Sequence, residues 1–177
     1  LPLPGRHNTA NALAALAIGT AAGLSRPAML EALRSFRGLP HRCERVLDAD
    51  GVQWVNDSKA TNVAAAIAAI EGLGAARPLV LIAGGRDKGS DFRPLRGAAQ
   101  RCCSAGLLIG EAAPQIRDAI GDAVITELVG DLASAVRRAR DVAAPGTTVL
   151  LSPACASFDQ FASYEARGDA FRDAVRE

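Results

Sequence analysis

The chain has 177 residues, of which 49% are hydrophobic and 22% are charged, and this ordinary globular composition excludes a disordered or collagen-like protein. Aromatic residues make up only 4%, so the core must be aliphatic. Twenty Lys and Arg against nineteen Asp and Glu give a formal charge of +1, which is too balanced for a general nucleic-acid binder but leaves a small anionic ligand open.

Two helices are predicted at the start of the chain. Asn8–Ala22 is rich in alanine and leucine and predicts the first helix, with Asn8 placed to cap it. Ser25 can cap a second helix that carries Pro27 in its first turn, where proline is tolerated. The pattern breaks at Arg37–Pro40, because glycine ends helices and proline disfavours a helical conformation in the residue before it.

This break indicates a domain boundary. We predict a helical unit over residues 1–37, left from a preceding domain, and a second domain over residues 38–177. The chain begins at Leu1 without methionine and without a basic-then-apolar leader, so we expect it to be a piece of a longer protein.

A hairpin opens the second domain. Cys43–Leu47 and Val52–Val55 read as short strands, and Asp48–Gly51 between them contains an Asp-Gly pair, which is a strong turn signal. A helix follows, since apolar residues recur at i, i+4 and i+7 from Val63.

Beyond the hairpin, short aliphatic strands alternate with helices, which predicts a parallel sheet covered on both faces. The fold class is therefore α/β, a doubly wound and mostly parallel Rossmann-like sheet with an N-terminal hairpin strand, preceded by two helices. The predicted strands are Leu79–Ala83, Gly106–Ile109, Val124–Leu128 and Thr147–Leu151, and the helices are Phe92–Cys103, Ala112–Ala119, Leu132–Ala143 and one from about Ser163.

Three polar clusters follow strands of this sheet. They are Asn56–Asn62 after the second strand, Gly84–Phe92 after the third and Leu151–Phe161 after the last. Ligands of doubly wound sheets bind beyond the carboxyl ends of the strands. We therefore expect the three clusters to converge on one rim and to form the binding site.

The first cluster leads into a helix whose N-terminus favours anions, so Lys59 and Thr61 could hold a phosphate or a carboxylate. Asp57, Ser58 and Thr61 are equally consistent with ordinary helix capping. Both interpretations stay open on composition alone.

The second cluster is a glycine-rich loop carrying Arg86 and Lys88, and Lys88 offers a compact charge to a carboxylate or a phosphate. It matches neither G-x-G-x-x-G nor G-x-x-x-x-G-K-S/T, so the pattern supports no dinucleotide site and no P-loop. The alternative is a solvated loop in which Asp87 and Asp91 balance the cations.

The third cluster is small and polar, and Ser157 with nearby backbone amides could wrap a small ligand. No histidine lies near Cys155 in sequence, which favours a buried inert thiol over a nucleophile. Upstream, Arg42 at the domain junction could reach a polyphosphate when domains close, or it could form a salt bridge with Glu44 or another surface acid.

The remaining residues give no metal or membrane signal. The four cysteines show no C-x-x-C spacing and the chain has two histidines, so no metal site is predicted. The thiols are expected to be reduced, as in a cytosolic protein. The longest apolar runs, such as Pro78–Ala83, fall far short of the ~20 residues that cross a bilayer.

Taken together, five ordered motifs resemble the Mur ligase family, in its C-terminal portion. The Asn-Asp-Ser-Lys-Ala-Thr-Asn and Ser-Pro-Ala-Cys-Ala-Ser-Phe-Asp runs are the most specific of them. The motifs are Gly5–Asn11, Gly38–Glu44, Asn56–Asn62, Gly84–Phe92, and Leu151–Phe161 with Tyr164–Asp169.

The resemblance implies an ATP-dependent amide ligase of peptidoglycan precursor synthesis in the bacterial cytoplasm, acting as a monomer. The family member it is most similar to joins D-glutamate to UDP-N-acetylmuramoyl-L-alanine through an acyl phosphate, with ATP and Mg²⁺. No P-loop sequence occurs here, so this chain would match the end of the ATPase-like central domain and the whole third domain. Magnesium ligands would lie elsewhere, and the isolated chain is expected to be inactive.

The resemblance also implies residue roles, carried over motif by motif. Arg42 and Lys59 would be catalytic, offsetting charge at the ATP phosphates. The implied ATP contacts are Asn8, Asn11, Arg42, Asp57 and Lys59, with the asparagines at the adenine and Asp57 at the ribose. The implied D-glutamate contacts are Thr61, Lys88, Ser157, Phe158 and Tyr164, where Tyr164 replaces a more usual phenylalanine.

Two alternatives share the predicted architecture. One is a sister ligase that adds another amino acid to the same precursor, or glutamate to folate, since fold does not discriminate among them. The other is a module that binds a nucleotide or a protein without catalysis.

Overall fold

In the computed structural model the described residues are 6–177, with side chains described from residue 8 onward. The motif residue Gly5 therefore lies outside the described residues. The chain divides into two compact units, the first ending at Leu39 and the second comprising Pro40–Glu177. The division falls just beyond the predicted boundary, and the origin of the first unit in an ATPase-like domain stays a prediction.

The first unit contains the two predicted helices, α1 (Arg6–Ala21) and α2 (Arg26–Ser35). Ser25 caps α2 as predicted, because its side chain accepts a hydrogen bond from the Ala28 amide. Asn8 was wrongly predicted to cap α1. The helix already begins at Arg6, and a residue inside the helix lacks the extended backbone that a capping residue needs.

A six-stranded sheet organises the second unit, in the order β1-β2-β6-β3-β4-β5. Strands β1 and β2 pair antiparallel and all other neighbours pair parallel, which confirms the predicted fold class. The strands are β1 (Glu44–Ala49), β2 (Val52–Asn56), β3 (Leu79–Gly84), β4 (Cys103–Ile109), β5 (Thr126–Gly130) and β6 (Thr148–Leu151); the helices are α3 (Val63–Gly74), α4 (Leu95–Cys102), α5 (Ala113–Ile120), α6 (Leu132–Val142) and α7 (Tyr164–Arg176).

Turn chemistry sets the hairpin. Asp50 and Gly51 both have positive φ, at 53° and 77°, which is the conformation of the tight two-residue turns that match strand twist. The Asp-Gly signal therefore located this turn correctly.

Helices cover both faces of the sheet. On one face, Ile70, Leu95 and Ile116 from α3, α4 and α5 pack against the strands. On the other, Val136 of α6 and Phe171 of α7 pack against the opposite sides of the same strands. Because it is covered twice, β3 is buried at every position, as expected of a central parallel strand.

The observed boundaries of helices and strands differ most from the predicted ones around α4. The helix spans only Leu95–Cys102, because Pro94 stands at its N-terminal boundary and Cys103 already belongs to β4. Strand β4 accordingly begins three residues before the predicted Gly106. Within residues 6–177, no helix has both the length and the hydropathy needed to cross a membrane.

Candidate functional site

Three loops meet at the carboxyl ends of adjacent strands. We name them the first rim loop (residues 56–62, after β2), the second rim loop (84–92, after β3) and the third rim loop (151–161, after β6). Since β2, β6 and β3 are neighbours in the sheet, the loops share one rim, as the sequence predicts.

Backbone hydrogen bonds fasten the rim loops to one another. The Ala154 amide of the third loop donates to the Ala60 carbonyl of the first loop at 2.9 Å. Arg86 of the second loop and Ala156 of the third exchange two backbone bonds, at 2.9 and 3.1 Å. The site is therefore built from three segments that hold each other in place.

Asp57 lies beneath the first rim loop with 7% of its surface exposed. One carboxylate oxygen accepts from the Cys43 amide at 3.1 Å and the other from the Ser152 hydroxyl at 2.9 Å. Burial raises the pKa of Asp57 to about 6, although both hydrogen bonds act in the opposite direction. Its carboxylate is already engaged within the chain.

The cap of α3 is the last residue of the first rim loop, which the sequence analysis did not assign as a cap. Asn62 accepts a hydrogen bond from the Ala65 amide at 2.9 Å and caps α3. The capping interpretation of Asp57, Ser58 and Thr61 is therefore wrong, since the helix begins only at Val63, one residue after its true cap.

Lys59 is held against an aromatic ring. Its Nζ lies 3.7 Å from the centroid of Tyr164, a cation–π contact. The Lys59 amide donates to the His41 carbonyl at 3.0 Å, and the buried His41 ring meets Tyr164 edge-on at 6.0 Å. The structure thus brings predicted ATP and D-glutamate residues into one cluster.

Arg42 is exposed and does not pair with Glu44, so that alternative is wrong. Glu44 instead accepts hydrogen bonds from the His41 amide at 2.9 Å and from Asn56 at 3.4 Å, and it lies 3.8 Å from Arg172. Within residues 8–177, no carboxylate stands at ion-pair distance from Arg42.

Asp87 shapes the tip of the second rim loop. Its carboxylate accepts from the amides of Ser90 at 2.8 Å and Lys88 at 2.7 Å, and these bonds lower the pKa of Asp87. Lys88 is exposed at this tip. The loop therefore presents its lysine on a fixed turn.

The charges of the second rim loop are not paired as the solvated-loop alternative requires. Arg86 forms a two-point ion pair with Glu111, at 3.2 and 3.3 Å, and Asp91 pairs with Arg93 at 2.8 Å. Among the described side chains, Lys88 has no carboxylate within ion-pair range.

The third rim loop combines a buried hydroxyl with an exposed ring. Ser157 is buried, while Phe158 beside it is 61% exposed. Thr61 of the first rim loop is half-buried. Cys155 is 2% exposed, as predicted for a buried thiol, and burial raises the pKa of this thiol to about 12, which favours the inert-thiol interpretation.

Sequence reasoning gave no role to Arg167, which joins two of the rim loops. The residue is 1% exposed, and its guanidinium donates to both the hydroxyl and the carbonyl of Ser58 at 2.9 Å. It also donates to the carbonyls of Cys155 at 3.1 Å and Ala156 at 3.2 Å. Burial lowers the pKa of Arg167 to about 10, so it stays charged at neutral pH.

A signal for Arg167 was present in the sequence. It lies four residues before Phe171 and eight before Val175, so it falls on the apolar face of α7. A side chain on the neighbouring Gly168 would overlap the His41 ring, which explains why glycine follows Arg167.

The first unit carries the other two predicted ATP residues. Asn8 and Asn11 lie three positions apart on α1 and so share one helix face. Across the described part of both units, no group of three or more His, Cys, Asp and Glu side chains could hold a metal ion.

Comparison with known proteins gives a family and close relatives. The Mur ligase, glutamate ligase domain matches residues 41–155. A UDP-N-acetylmuramoylalanine-D-glutamate ligase of Pseudomonas fluorescens is 58% identical over 179 residues, covering 100% of this chain and 40% of that protein. The chain spans about two fifths of the length of the curated relatives it matches.

Solved structures share the architecture at lower identity. UDP-N-acetylmuramate-alanine ligase of Thermotoga maritima superposes with a TM-score of 0.73 at 18% identity, over 98% of this chain and 39% of that one. Folylpolyglutamate synthase of the same organism superposes with a TM-score of 0.64 at 19% identity, over 98% of this chain and 39% of that one. These two likenesses show the fold alone.

Proposed function

This chain belongs to the Mur ligase family, through the glutamate ligase domain, and from that premise we propose that it is part of an ATP-dependent ligase. The proposed reaction joins D-glutamate to UDP-N-acetylmuramoyl-L-alanine in peptidoglycan precursor synthesis, in the bacterial cytoplasm. One observation carries the proposal from the geometry. Lys88 stands exposed on a fixed turn of the rim, with no carboxylate partner among the described residues.

The proposed amino-acid pocket consists of Thr61, Lys88, Ser157, Phe158 and Tyr164. D-glutamate brings two carboxylates, and binding it requires a cation together with hydroxyl and amide donors. Lys88 supplies the cation, and Thr61 and Ser157 supply the hydroxyls. The amine is then left free to attack.

The proposed ATP contacts of the second unit are Arg42, Asp57 and Lys59. Arg42 fits this role, since it is exposed and unpaired with any described carboxylate. Asp57 fits less simply, because both of its oxygens already accept a hydrogen bond and a ribose hydroxyl must use the remaining lone pairs. In the first unit, Asn8 and Asn11 remain proposed adenine contacts.

ATP supplies the phosphoryl group that activates the acceptor carboxylate. Arg42 and Lys59 would offset the negative charge that gathers on the transferring group, which is the main demand of phosphoryl transfer. Mg²⁺ ligands are proposed to lie in other parts of the complete protein, since the described residues offer no metal cluster.

The test is a ligation assay on the complete protein that carries this chain. We expect ATP-dependent joining of labelled D-glutamate to UDP-N-acetylmuramoyl-L-alanine, with the protein acting as a monomer. L-lysine, meso-diaminopimelate and L-glutamate are the competing amino acids. Preference for one of them would indicate a sister ligase, and a protein that binds nucleotide without ligation would indicate a non-catalytic module.

A further inference from the structure

The guanidinium of Arg167 donates hydrogen bonds only to residues of two rim loops, namely to one hydroxyl and three backbone carbonyls. Its Nε and Nη2 donate to the hydroxyl and the carbonyl of Ser58, both at 2.9 Å. Its Nη1 and Nη2 donate to the carbonyls of Ala156 and Cys155, at 3.2 and 3.1 Å. One side chain of α7 thus joins the first rim loop to the third.

These contacts are unusual for a buried cation. Burying a charge is costly unless it is paired or fully hydrogen-bonded. Within residues 8–177, Arg167 has no carboxylate at ion-pair distance, and the acceptors of its hydrogen bonds are all neutral oxygens, although the carboxylate of Asp159 is near enough to favour its charged form. The planar fork of arginine can serve several acceptors at fixed angles, whereas the single ammonium of lysine cannot.

The second rim loop also packs against this cation. Gly85 has a φ of +130°, and a Cβ placed there would lie 3.1 Å from Nη1 of Arg167 and would overlap the Ala156 carbonyl oxygen. Glycine is required because the loop backbone approaches so closely. All three rim loops therefore meet around one guanidinium.

We propose that Arg167 is a positioning residue that sets the separation of the first and third rim loops, and thereby assembles the amino-acid pocket. The inference rests on the proposed function, because Thr61 and Ser157 belong to those two loops. Arg167 is not itself expected to touch the substrate, since its donors point to Ser58, Cys155 and Ala156.

The experiment compares Arg167→Lys with Arg140→Lys in the complete protein. Arg140 serves as the control for the Arg→Lys change itself, since it also donates to two backbone carbonyls, those of Ala174 and Val175, but is exposed and lies on α6 outside the rim loops. The measurements are KM for D-glutamate, KM for the nucleotide-sugar substrate, and amide hydrogen exchange across the second unit.

For Arg167→Lys we expect KM for D-glutamate to rise by about 10- to 100-fold, because displaced pocket donors lose hydrogen bonds to its charged carboxylates. We expect KM for the nucleotide sugar to change by less than about two-fold, as for a mutation that spares ground-state binding of that substrate. Exchange should rise in residues 56–62 and 151–161 while β3 and β4 stay protected. Arg140→Lys should move none of these quantities.

Two results would overturn the proposal. Exchange that rises throughout the second unit would show a general structural role. Unchanged exchange and KM in Arg167→Lys would show that the planar fork of the guanidinium is not needed, and a defective Arg167→Gln beside it would show that the charge alone matters. A wild-type protein without ligase activity would instead contradict the proposed function, and the exchange data would still test the positioning of the loops.

Discussion

At the scale of single residues, the site depends on which charges are already paired. Arg86 and Arg93 are satisfied by Glu111 and Asp91, whereas Lys88 between them is not. An exposed ion pair contributes little to stability, but it does remove a cation from competition for an anionic ligand. Of the two cations in the second rim loop, Arg86 and Lys88, Lys88 is therefore the one that no described carboxylate neutralises.

Lys88→Met should therefore weaken D-glutamate binding. Loss of one hydrogen-bonded charge contact corresponds to a rise in KM of about 10- to 100-fold. The measurement is the steady-state KM for D-glutamate of the complete protein. Arg93→Gln is the control, because it removes a cation that lies directly after the second rim loop and that Asp91 already neutralises. Equal effects of the two substitutions would contradict the assignment.

Asp57 gives a pH prediction whose sign follows from its raised pKa of about 6 against 3.8 when unperturbed. The folded state favours the protonated acid, so the group stabilises the fold most below pH 3.8, and that stability is lost as pH rises through 6. The unfolding free energy of wild type relative to Asp57→Asn should fall by about 3 kcal/mol across this window.

Urea unfolding of both proteins at several pH values, from about 3.5 to about 7, would measure this difference. This range brackets the pKa of Asp57 in the unfolded and the folded state. The comparison with Asp57→Asn cancels the contributions of the other carboxylates, among them Asp87 and Asp91, whose pKa values are lowered and which act in the opposite direction. A difference that grows as pH rises would contradict the account of Asp57.

At the scale of loops and helices, the rim depends on close backbone approach. Gly85 and Gly89 both lie in the second rim loop with positive φ, at 130° and 80°. A Cβ at Gly85 would overlap the Ala156 carbonyl, whereas a Cβ at Gly89 meets nothing within 4 Å. The two glycines thus share a conformational requirement and differ in space.

Gly85→Ala should cost far more stability than Gly89→Ala. The positive φ alone costs about 1–2 kcal/mol at either site. The overlap at Gly85 adds about 1–3 kcal/mol of overpacking strain, since a backbone oxygen has no rotamer with which to escape. Denaturant unfolding of each variant gives both values, and equal losses would show that the rim loops are not packed as described.

The elements themselves could largely be predicted from the sequence, since hydrophobic runs, turn pairs and proline positions act locally. The Asp-Gly turn and the Ser25 cap are examples. The contacts of Arg167 with Ser58 and the pairing of Glu44 with Arg172 could not be predicted, because each joins segments more than 100 residues apart in the chain. Asn8 was misassigned because a cap depends on where the helix begins.

At the scale of the whole molecule, the expected function depends on how much of the proposed ligase this chain contains. It spans about two fifths of its curated relatives, and its sequence contains no G-x-x-x-x-G-K-S/T motif to cradle phosphates. The chain by itself holds the proposed amino-acid pocket without a phosphate-binding loop.

The isolated chain should therefore neither hydrolyse ATP nor ligate D-glutamate, whereas the complete protein is expected to do both. Phosphate release and formation of labelled product are the measurements, made side by side at equal concentrations of the two proteins. Turnover by the isolated chain would contradict the prediction that catalysis needs parts of the protein outside this chain.

The most direct test of the central claim, that this unit carries a D-glutamate pocket, is an amide chemical-shift titration of the chain with D-glutamate and, separately, with L-glutamate. We predict that D-glutamate shifts the amides of Thr61, Lys88 and Ser157 and that L-glutamate leaves them unmoved. Equal shifts with the two enantiomers, or none with either, would contradict the claim.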